Sequence, residues 1–457
     1  MRILFVTKNF IIEPLGIMYL MSALENSGHK TDIVQADEED VEACIGKFKP
    51  HIIAFSVITG NHAYFQNINF ELKKRYSYLA LFGGPHATFF PEEVMKDSAV
   101  DIVCLGEGEE AIVELANALK AKKSYSNIKN LWVRQSGEIY KNEVRPLQAL
   151  DSIDFPARKI IYDKYESSRQ NPIKNIITTR GCPFNCPYCY NHLIKKIYTG
   201  KGAYVRQRSV GNVIAEMLEI KKYYPVKMFY FQDDIFTINK EWLKNFSDQY
   251  KKTIALPFHC HLRVNMTDHQ VIDLLSMAGC ASVSFAIETG NDEIRTKILG
   301  RSMAKEQIFE VAEMLRKAKI RFRIFNMIGI PGGSIKIDLE TLKLNIQCRP
   351  DLGWASIYQP YPKTELYEIA KKMNLCKEIK LDEFNNFFDK SVLDIPDKQQ
   401  LLNLQRLFSF VVSWPILMPL IEILIRLPLN SLYSKINDFW KNHCNNRIYA
   451  THTNKYL

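Results

Sequence analysis

The sequence predicts an α/β protein of two successive parallel-sheet domains followed by a helical region, and three observations predict it. Short, continuously apolar runs alternate with helix-length stretches over residues 1–122, as expected of strands buried on both faces between crossover helices. The alternation stops, then restarts at Asn171 and continues to about residue 370. Beyond that point the strand-like runs give way to helical patterning.

In the first series, RILFVT (2–7), HIIAFS (51–56), LALFGG (79–84) and DIVCLG (101–106) are rich in Ile, Leu, Val and Phe, and helix-length stretches at 17–27, 63–76 and 109–120 separate them. Repeated units of this size make a doubly wound, flavodoxin-like (Rossmann-type) domain whose ligand edge lies where Gly or Ser closes the strands. NLWVRQSGEIYKNEV then reads as a hairpin turning at Ser136-Gly137. PLQALDSIDFPAR reads as extended chain restricted by Pro146 and Pro156. The first domain therefore spans 1–145 and a linker 146–170. The second series offers IKNIITT (173–179), KMFYFQ (227–232), PFHCHLRV (257–264), ASVSFAI (281–287), RFRIFNMIGI (321–330) and WASIYQ (354–359) as strands, with helices at 209–223 and 303–318 among the intervening segments. Six parallel strands with crossover helices make a partial (β/α)6 TIM-like barrel over 171–370, its active face at the strands' carboxyl ends. Residues 371–457 form a helical C-terminal region.

With 457 residues the chain can bury two or three cores, and the 47% hydrophobic, 24% charged composition excludes a disordered protein. Its net charge of +10 suits anionic lipid, nucleic acid or a phosphorylated substrate, and equally suits plain solubility. Only three of the ten cysteines are tightly grouped, which fits a reducing cytoplasm with one thiolate site rather than a disulfide scaffold. The amino terminus, MRILFVTKNF, shows no apolar signal region. Near the other end, LFSFVVSWPILMPLIEILI approaches the length of a membrane span, but Pro415, Pro419 and Glu422 interrupt it and Arg406, Arg426, Lys435 and Lys441 flank or follow it. Two readings stay open: a cap packed on the barrel, or an interfacial segment at the inner membrane face.

The grouped cysteines stand in ITTRGCPFNCPYCYN, where Cys182, Cys186 and Cys189 have the spacing C-x3-C-x2-C directly after a strand. Three thiolates can ligate three irons of a [4Fe–4S] cubane and leave the fourth open to chelate the amino and carboxylate groups of S-adenosylmethionine. Pro183 and Pro187 disfavour a helix between the ligands, so the loop can wrap a cluster. Structural zinc wants four closed ligands; His192 is the nearest fourth, and a second C-x2-C is missing.

The run GCPFNCPYCYN resembles the C-x3-C-x-aromatic-C signature of the radical S-adenosylmethionine (radical SAM) superfamily. FYFQDDIFTIN (229–239), LRVNMTD (262–268), GCASVSFAIETGNDEIRTKILGR (279–301), FNMIGIPGG (325–333) and YQPYPKTELY (358–367) resemble its branch with an amino-terminal cobalamin domain. The resemblance covers about residues 1–370. It implies that residues 171–370 form a radical SAM barrel with Tyr188 in the cluster loop, that Gln232, Asp233 and Asp234 contact the aminoacyl part of S-adenosylmethionine, that Glu288 lies near the cofactor, and that the strand ending at Ile328 packs beside adenine. Gly333 stands where the family often has Glu. Alternation along PFHCHLRV puts His259, His261 and Arg263 on one face, towards the lumen; of these, Arg263 matches a recurrent family arginine.

In the first domain, FSVIT (55–59) resembles the family's Ser-x-Leu element through Ser56, with Thr59 closing it. FGGPHAT (82–88) resembles the Gly-Gly element through Gly83 and Gly84, and LGEGE (105–109) the following loop through Gly106 and Glu107. TKNFIIEPLG lacks the Asp-x-His-x-x-Gly that supplies a histidine to cobalt, so cobalamin is expected without that lower ligand. The resemblance implies methylation of an unactivated carbon of a small-molecule or lipid-like substrate, through a 5′-deoxyadenosyl radical and methylcobalamin, with Asp233, Asp234 and Arg263 as catalytic candidates. An external electron donor such as flavodoxin or ferredoxin is implied, peripheral membrane contact is open, and nucleic acid is not expected. The alternatives are cyclisation or rearrangement without methyl transfer, a transfer-RNA methylthiotransferase, and a cobalamin-binding sensor, which would need no cysteine triad.

Overall fold

A computed structural model of the chain describes residues 1–10, 12–376, 380, 381, 384 and 391–449, without the side chains of Asn446 and Arg447. Among these residues Met1–Gln170 and Ile194–Tyr204, with 380, 381 and 384, make one compact unit, and the remainder make a second.

The first unit is a twisted sheet of β1 (Arg2–Thr7), β2 (Lys30–Gln35), β3 (Ile52–Ser56), β4 (Leu79–Gly83), β5 (Ile102–Cys104), β6 (Leu131–Gln135) and β7 (Glu138–Lys141) in the order β2-β1-β3-β4-β5-β6-β7. The first five are parallel and the last two antiparallel. The winding reverses between β1 and β3, the place where such sheets open a ligand crevice. Phe55 and Phe82 stack at 4.7 Å in the core on one face. The expected hairpin turns on Ser136 (φ 53°) and Gly137 (φ 84°), the paired left-handed conformations of a two-residue turn. Residues 146–157 hold no α-helix or strand, whereas residues 158–170 are not extended. They carry helices Arg158–Lys164 and Glu166–Gln170 and pack with the first unit. Arg158 drives this: its buried guanidinium lies 3.1 Å from Glu13, which also accepts from Tyr162, and a buried charge needs such partners.

The second unit is built on β8 (Ile173–Ile176), the two-residue antiparallel pair β9 (Thr179–Arg180) and β10 (Arg206–Gln207), then β11 (Met228–Phe231), β12 (Phe258–His261), β13 (Cys280–Glu288), β14 (Arg321–Ile328) and β15 (Leu352–Ile357). The six longer strands are all parallel, in the order β15-β14-β13-β12-β11-β8, so each lies beside its sequence neighbour as in a partial (β/α)6 barrel. Side-chain caps start the helices between them. Ser209, Asn239, Asp268 and Ser334 accept from the backbone N–H groups of Asn212, Trp242, Val271 and Ile337.

Strand alternation splits the barrel into an apolar outside and a polar inside. Phe229, Phe231, Phe258, Cys260, Val283, Phe285, Phe322 and Ile324 bury themselves against the helices. On the other face His259 meets Ser282 (2.7 Å) and Ser284 (2.9 Å), Tyr230 meets His261 (3.0 Å), and Arg323 donates to Ser284 (3.1 Å) and Tyr230 (3.2 Å). Burial and Arg323 hold the His259 ring well below its ordinary pKa and that of His261 down to about 4, so both imidazoles stay neutral. The C-terminal helix Asn430–Tyr449 sends Tyr449 against Tyr230 (5.8 Å) and His259 (5.3 Å) and fills this interior.

The helix Lys398–Ser413 lies on β15 and on the helix Ile335–Cys348, burying Leu404, Leu407, Phe408 and Val411. Gln405 donates to the Ala355 carbonyl (3.1 Å) and Ser409 to that of Gly353 (2.6 Å). Those bonds satisfy carbonyls that the sheet's edge strand presents outward. The inner face of the tail is thus the packed cap. Among the described residues no helix is long and apolar enough to cross a membrane.

Candidate active site

The cysteine loop starts where β8 ends, and Asp233 pins its base. One Asp233 oxygen accepts from the Thr178 N–H (3.0 Å) and hydroxyl (2.7 Å). Burial pushes this carboxyl up to about 6 against the pull of those bonds. Asp233 is 1% exposed and does not line the neighbouring cavity, so its place is beneath the loop. Cys182, Cys186 and Cys189 do line it, with Tyr188, Asn191, Asp234, His261, Arg263 and Arg301 among its other walls, around about 170 Å³. Burial raises the Cys182 thiol and pushes that of Cys189 up to about 11; positive charge brought by bound iron would reverse this.

The three thiols line one cavity together, as a multi-iron group requires. No three His, Cys, Asp or Glu side chains gather closely enough to hold one metal ion among the described residues. His192 lies 3.8 Å from Glu365 and is not part of the cavity wall, so the zinc alternative lacks its fourth ligand. Three thiols set around a space, with none opposite, match a cubane with one open iron.

Arg263 braces the loop: its guanidinium lies 3.6 Å over the Phe184 ring, with Nη1 3.9 Å from the Cys186 sulfur and Nε donating to Asn265 (3.0 Å). Across the cavity, Tyr188 donates to Glu288 (2.9 Å), Arg301 Nη1 donates to the Tyr188 oxygen (2.9 Å), and Arg301 also donates to the Ala286 carbonyl (2.5 Å). Glu288 is 3.5 Å from Arg301. Burial works against the Arg301 charge, yet Tyr188 and Glu288 raise its pKa; burial and Glu288 raise that of Tyr188. A register shift between Ala286 and Glu288, with Glu288 at φ 65°, turns the strand end so that the carboxylate meets these partners. Arg301 was not singled out from the sequence, although it closes the ILGR of a segment that carried the resemblance.

The remaining barrel residues divide. Asp234 sits on the cavity rim and accepts from Asn191 (3.0 Å); Gln232 is half-buried and donates to Asn175 (2.6 Å). The Ile328 side chain packs with Leu339, Leu342, Ala355 and Ile357 on the helix-facing side, so from that position only the backbone could meet adenine. Period-two alternation puts Met327 on the other face, in the cluster that includes Tyr188.

In the first unit Ser56, Gly83, Gly84 and Gly106 line a narrow slot of about 60 Å³ at the carboxyl ends of β3, β4 and β5. Two of these glycines are kept bare by the chain's own packing: a Cβ on Gly84 (φ 94°) would stand 2.9 Å from the Val57 carbonyl oxygen and 3.2 Å from Ser56 Oγ, and one on Gly106 (φ 65°) would strike Tyr198. Such a cradle suits a large disc approaching backbone with a tail passing inward. Thr59 meets His86 (3.0 Å); both are buried and neither lines the slot. The Gly106–Glu107 loop is held by Thr88, which accepts from the Gly106 N–H (2.9 Å), and by Tyr198, which accepts from that of Glu107 (2.8 Å). Tyr198 lies far along the chain, and nothing in its sequence context signalled this contact. No histidine lines the slot among the described residues.

Residues 176–344 match the model of the radical SAM superfamily, and residues 1–116 that of the B12 binding domain. An uncharacterized methyltransferase of Pyrococcus horikoshii is 30% identical over 378 residues, which cover 79% of each chain. An anaerobic magnesium-protoporphyrin IX monomethyl ester cyclase of Cereibacter sphaeroides is 25% identical over 401 residues, 80% of this chain and 63% of its own. The solved structure of the radical S-adenosylmethionine methyltransferase TsrM from Kitasatospora setae shares the fold, with a TM-score of 0.67 at 16% identity over 82% of this chain and 76% of that one. The chain therefore belongs to the cobalamin-binding branch of the radical SAM superfamily, enzymes whose cofactors are a [4Fe–4S] cluster, S-adenosylmethionine and cobalamin.

Proposed function

We propose that this enzyme methylates an unactivated carbon of a small-molecule or lipid-like substrate. The observation that carries the reading is the presence, in one chain, of a three-thiol cavity walled by Arg263, Tyr188 and Arg301 and a glycine-lined slot inside the B12-binding match. With its cofactors bound the protein has a carbon radical from the cluster and S-adenosylmethionine, and a transferable methyl group from cobalamin.

The chain's own residues hold and orient these groups. Cys182, Cys186 and Cys189 ligate the cluster, and Arg263 offsets thiolate charge and fixes the loop through Phe184. Arg301, which walls the cavity, would offer its guanidinium to the carboxylate of S-adenosylmethionine. Asp234 and Glu288 accept from the ammonium, and Gln232 and Tyr188 complete that wall. Asp233 is a positioning residue under the loop. Ser56, Thr59, Gly83, Gly84, Gly106 and Glu107 form the cobalamin seat. An external one-electron donor such as flavodoxin or ferredoxin supplies the electron, and the free thiols suit the cytoplasm.

A cyclisation or rearrangement is the second reading, favoured by the likeness to the cyclase. One experiment separates them. Anaerobically reconstituted enzyme is given S-adenosylmethionine carrying a deuterated methyl group, a reductant and a small-molecule and lipid extract. Methylation yields 5′-deoxyadenosine and S-adenosylhomocysteine in roughly equal amounts and a labelled product. Turnover giving 5′-deoxyadenosine without S-adenosylhomocysteine or label rejects methylation in favour of the cyclase reading.

A further inference from the structure

The turn that leaves β14 walls a cavity of about 370 Å³ that shares no lining residue with the cluster cavity. Its other sides come from the first turn of the helix Ile335–Cys348, the chain just past the helix Glu365–Lys372, and the segment that enters the helix Lys398–Ser413. All of these belong to the second unit. A volume of this order, walled mostly by apolar side chains with a few polar groups, is that of a small-molecule seat. Ile330, Ile335, Met373, Leu375, Ile395 and Leu401 supply the apolar wall. The charged side chains in the wall are both acids, Asp338 and Asp397, and no Lys, Arg or His lines the cavity among the described residues.

Asp338 is 4% exposed, and its two oxygens share one donor, the Gly329 N–H at 3.2 Å. A carboxylate can accept about four hydrogen bonds, so most of its capacity is unused where it borders the cavity. A buried acid with so few donors is costly to ionise, and a cation beside it offsets that cost through charge-assisted hydrogen bonds. Asp397 is exposed, accepts from Gln400 (2.8 Å) and adds a second acid to the same wall. The nearby lysines do not answer these charges: Lys398 donates to the Leu393 carbonyl (3.3 Å), Lys336 is exposed, and neither lines the cavity. We infer that this cavity binds a small apolar molecule carrying a protonated amine, whose ammonium donates to Asp338 while its hydrocarbon body lies against Ile330, Met373 and Leu401. The inference is independent of methylation, since binding is read without turnover.

The test is calorimetric titration of the full-length, cluster-loaded protein with octylamine, octanol and octanoate, which are alike in chain and differ in head group. In mildly alkaline buffer, where the buried acid is ionised, octylamine should bind at least about tenfold more tightly than the other two. Asp338→Asn keeps an acceptor for Gly329 and should bring octylamine down to the level of octanol, leaving octanol binding and cluster absorbance unchanged. Met373 is 45% exposed and lines the cavity, so Met373→Trp should fill it and weaken octylamine binding by about tenfold or more at the parent's melting temperature. Saturating S-adenosylmethionine should not displace the amine. No octylamine binding, equal binding of the three probes, or binding that Met373→Trp leaves intact overturns the inference, as does an amine preference that survives in Asp338→Asn. Displacement by S-adenosylmethionine would make the cavity part of that cofactor's seat and equally overturns it.

Discussion

Glu288 shows what a single residue contributes at the cavity. At φ 65° it occupies left-handed backbone, which costs a side chain other than glycine about 1–2 kcal/mol, and in return its carboxylate meets Tyr188 and Arg301. Arg301 is nearly buried, and removing one partner of a buried charge destabilises by about 3–5 kcal/mol. Glu288→Ala should therefore lower unfolding stability by about that amount, whereas Glu288→Gly should lose about 1 kcal/mol less because glycine accepts the backbone. Both variants should bind S-adenosylmethionine more weakly in calorimetry. Equal losses for Ala and Gly would show that no strain is held there. Arg263→Lys tests the other wall: it keeps the charge but loses the planar stack on Phe184, so cluster content after reconstitution should fall without a matching loss of melting temperature.

At the scale of elements, the turn from β14 into the helix Ile335–Cys348 contains a buried acid. Both Asp338 oxygens accept from the Gly329 N–H at 3.2 Å, and burial pushes the carboxyl up to about 7 from an ordinary 3.8. Because the folded value is the higher one, the folded state binds the extra proton, and stability is lost as pH rises from about 4 to about 7. Asp338→Asn keeps an acceptor for Gly329 and removes the titration. Relative to the parent it should gain stability across that window, by up to about 4 kcal/mol at neutral pH, and match it below pH 4; a difference independent of pH in denaturant unfolding refutes the assignment. Elements with uninterrupted apolar runs, such as MFYF in β11 and the end of β13, were legible in the sequence because both faces are covered. β2 was not: Lys30, Asp32 and Gln35 interrupt KTDIVQ at the edge of its sheet, where charge is tolerated. The cysteine loop and the glycines of the cobalamin slot were legible because their chemistry restricts residue type. Tyr198, Arg301 and the Arg158–Glu13 pair were not, since each acts through a contact distant in sequence. Which face Ile328 presents was not legible either, because a one-residue step along a strand moves a side chain to the opposite face.

For the molecule as a whole, the consequence of two compact units, each with its own core, is that the two cofactor seats should load separately. Sites that share no side chains contribute additively. The triple variant Cys182→Ala/Cys186→Ala/Cys189→Ala should lose all cluster iron and sulfide and form no 5′-deoxyadenosine, yet retain cobalamin. Its cob(II)alamin should show no nitrogen splitting from a lower ligand in electron paramagnetic resonance, as the loop TKNFIIEPLG, which lacks Asp-x-His-x-x-Gly, leads us to expect. Conversely, Gly84→Val puts a branched side chain where even a Cβ would stand 2.9 Å from the Val57 carbonyl oxygen, at a φ of 94° that valine resists. That variant should lose cobalamin and keep the parent's iron content, cluster absorbance and affinity for S-adenosylmethionine. A ligand stabilises the unit that binds it, so in calorimetry cobalamin should raise one unfolding transition of the parent and leave the transition of the Gly84→Val protein unmoved. Loss of both cofactors in either variant would mean that the seats are energetically one site, and nitrogen splitting in the triple variant would place a histidine beneath the cobalt after all.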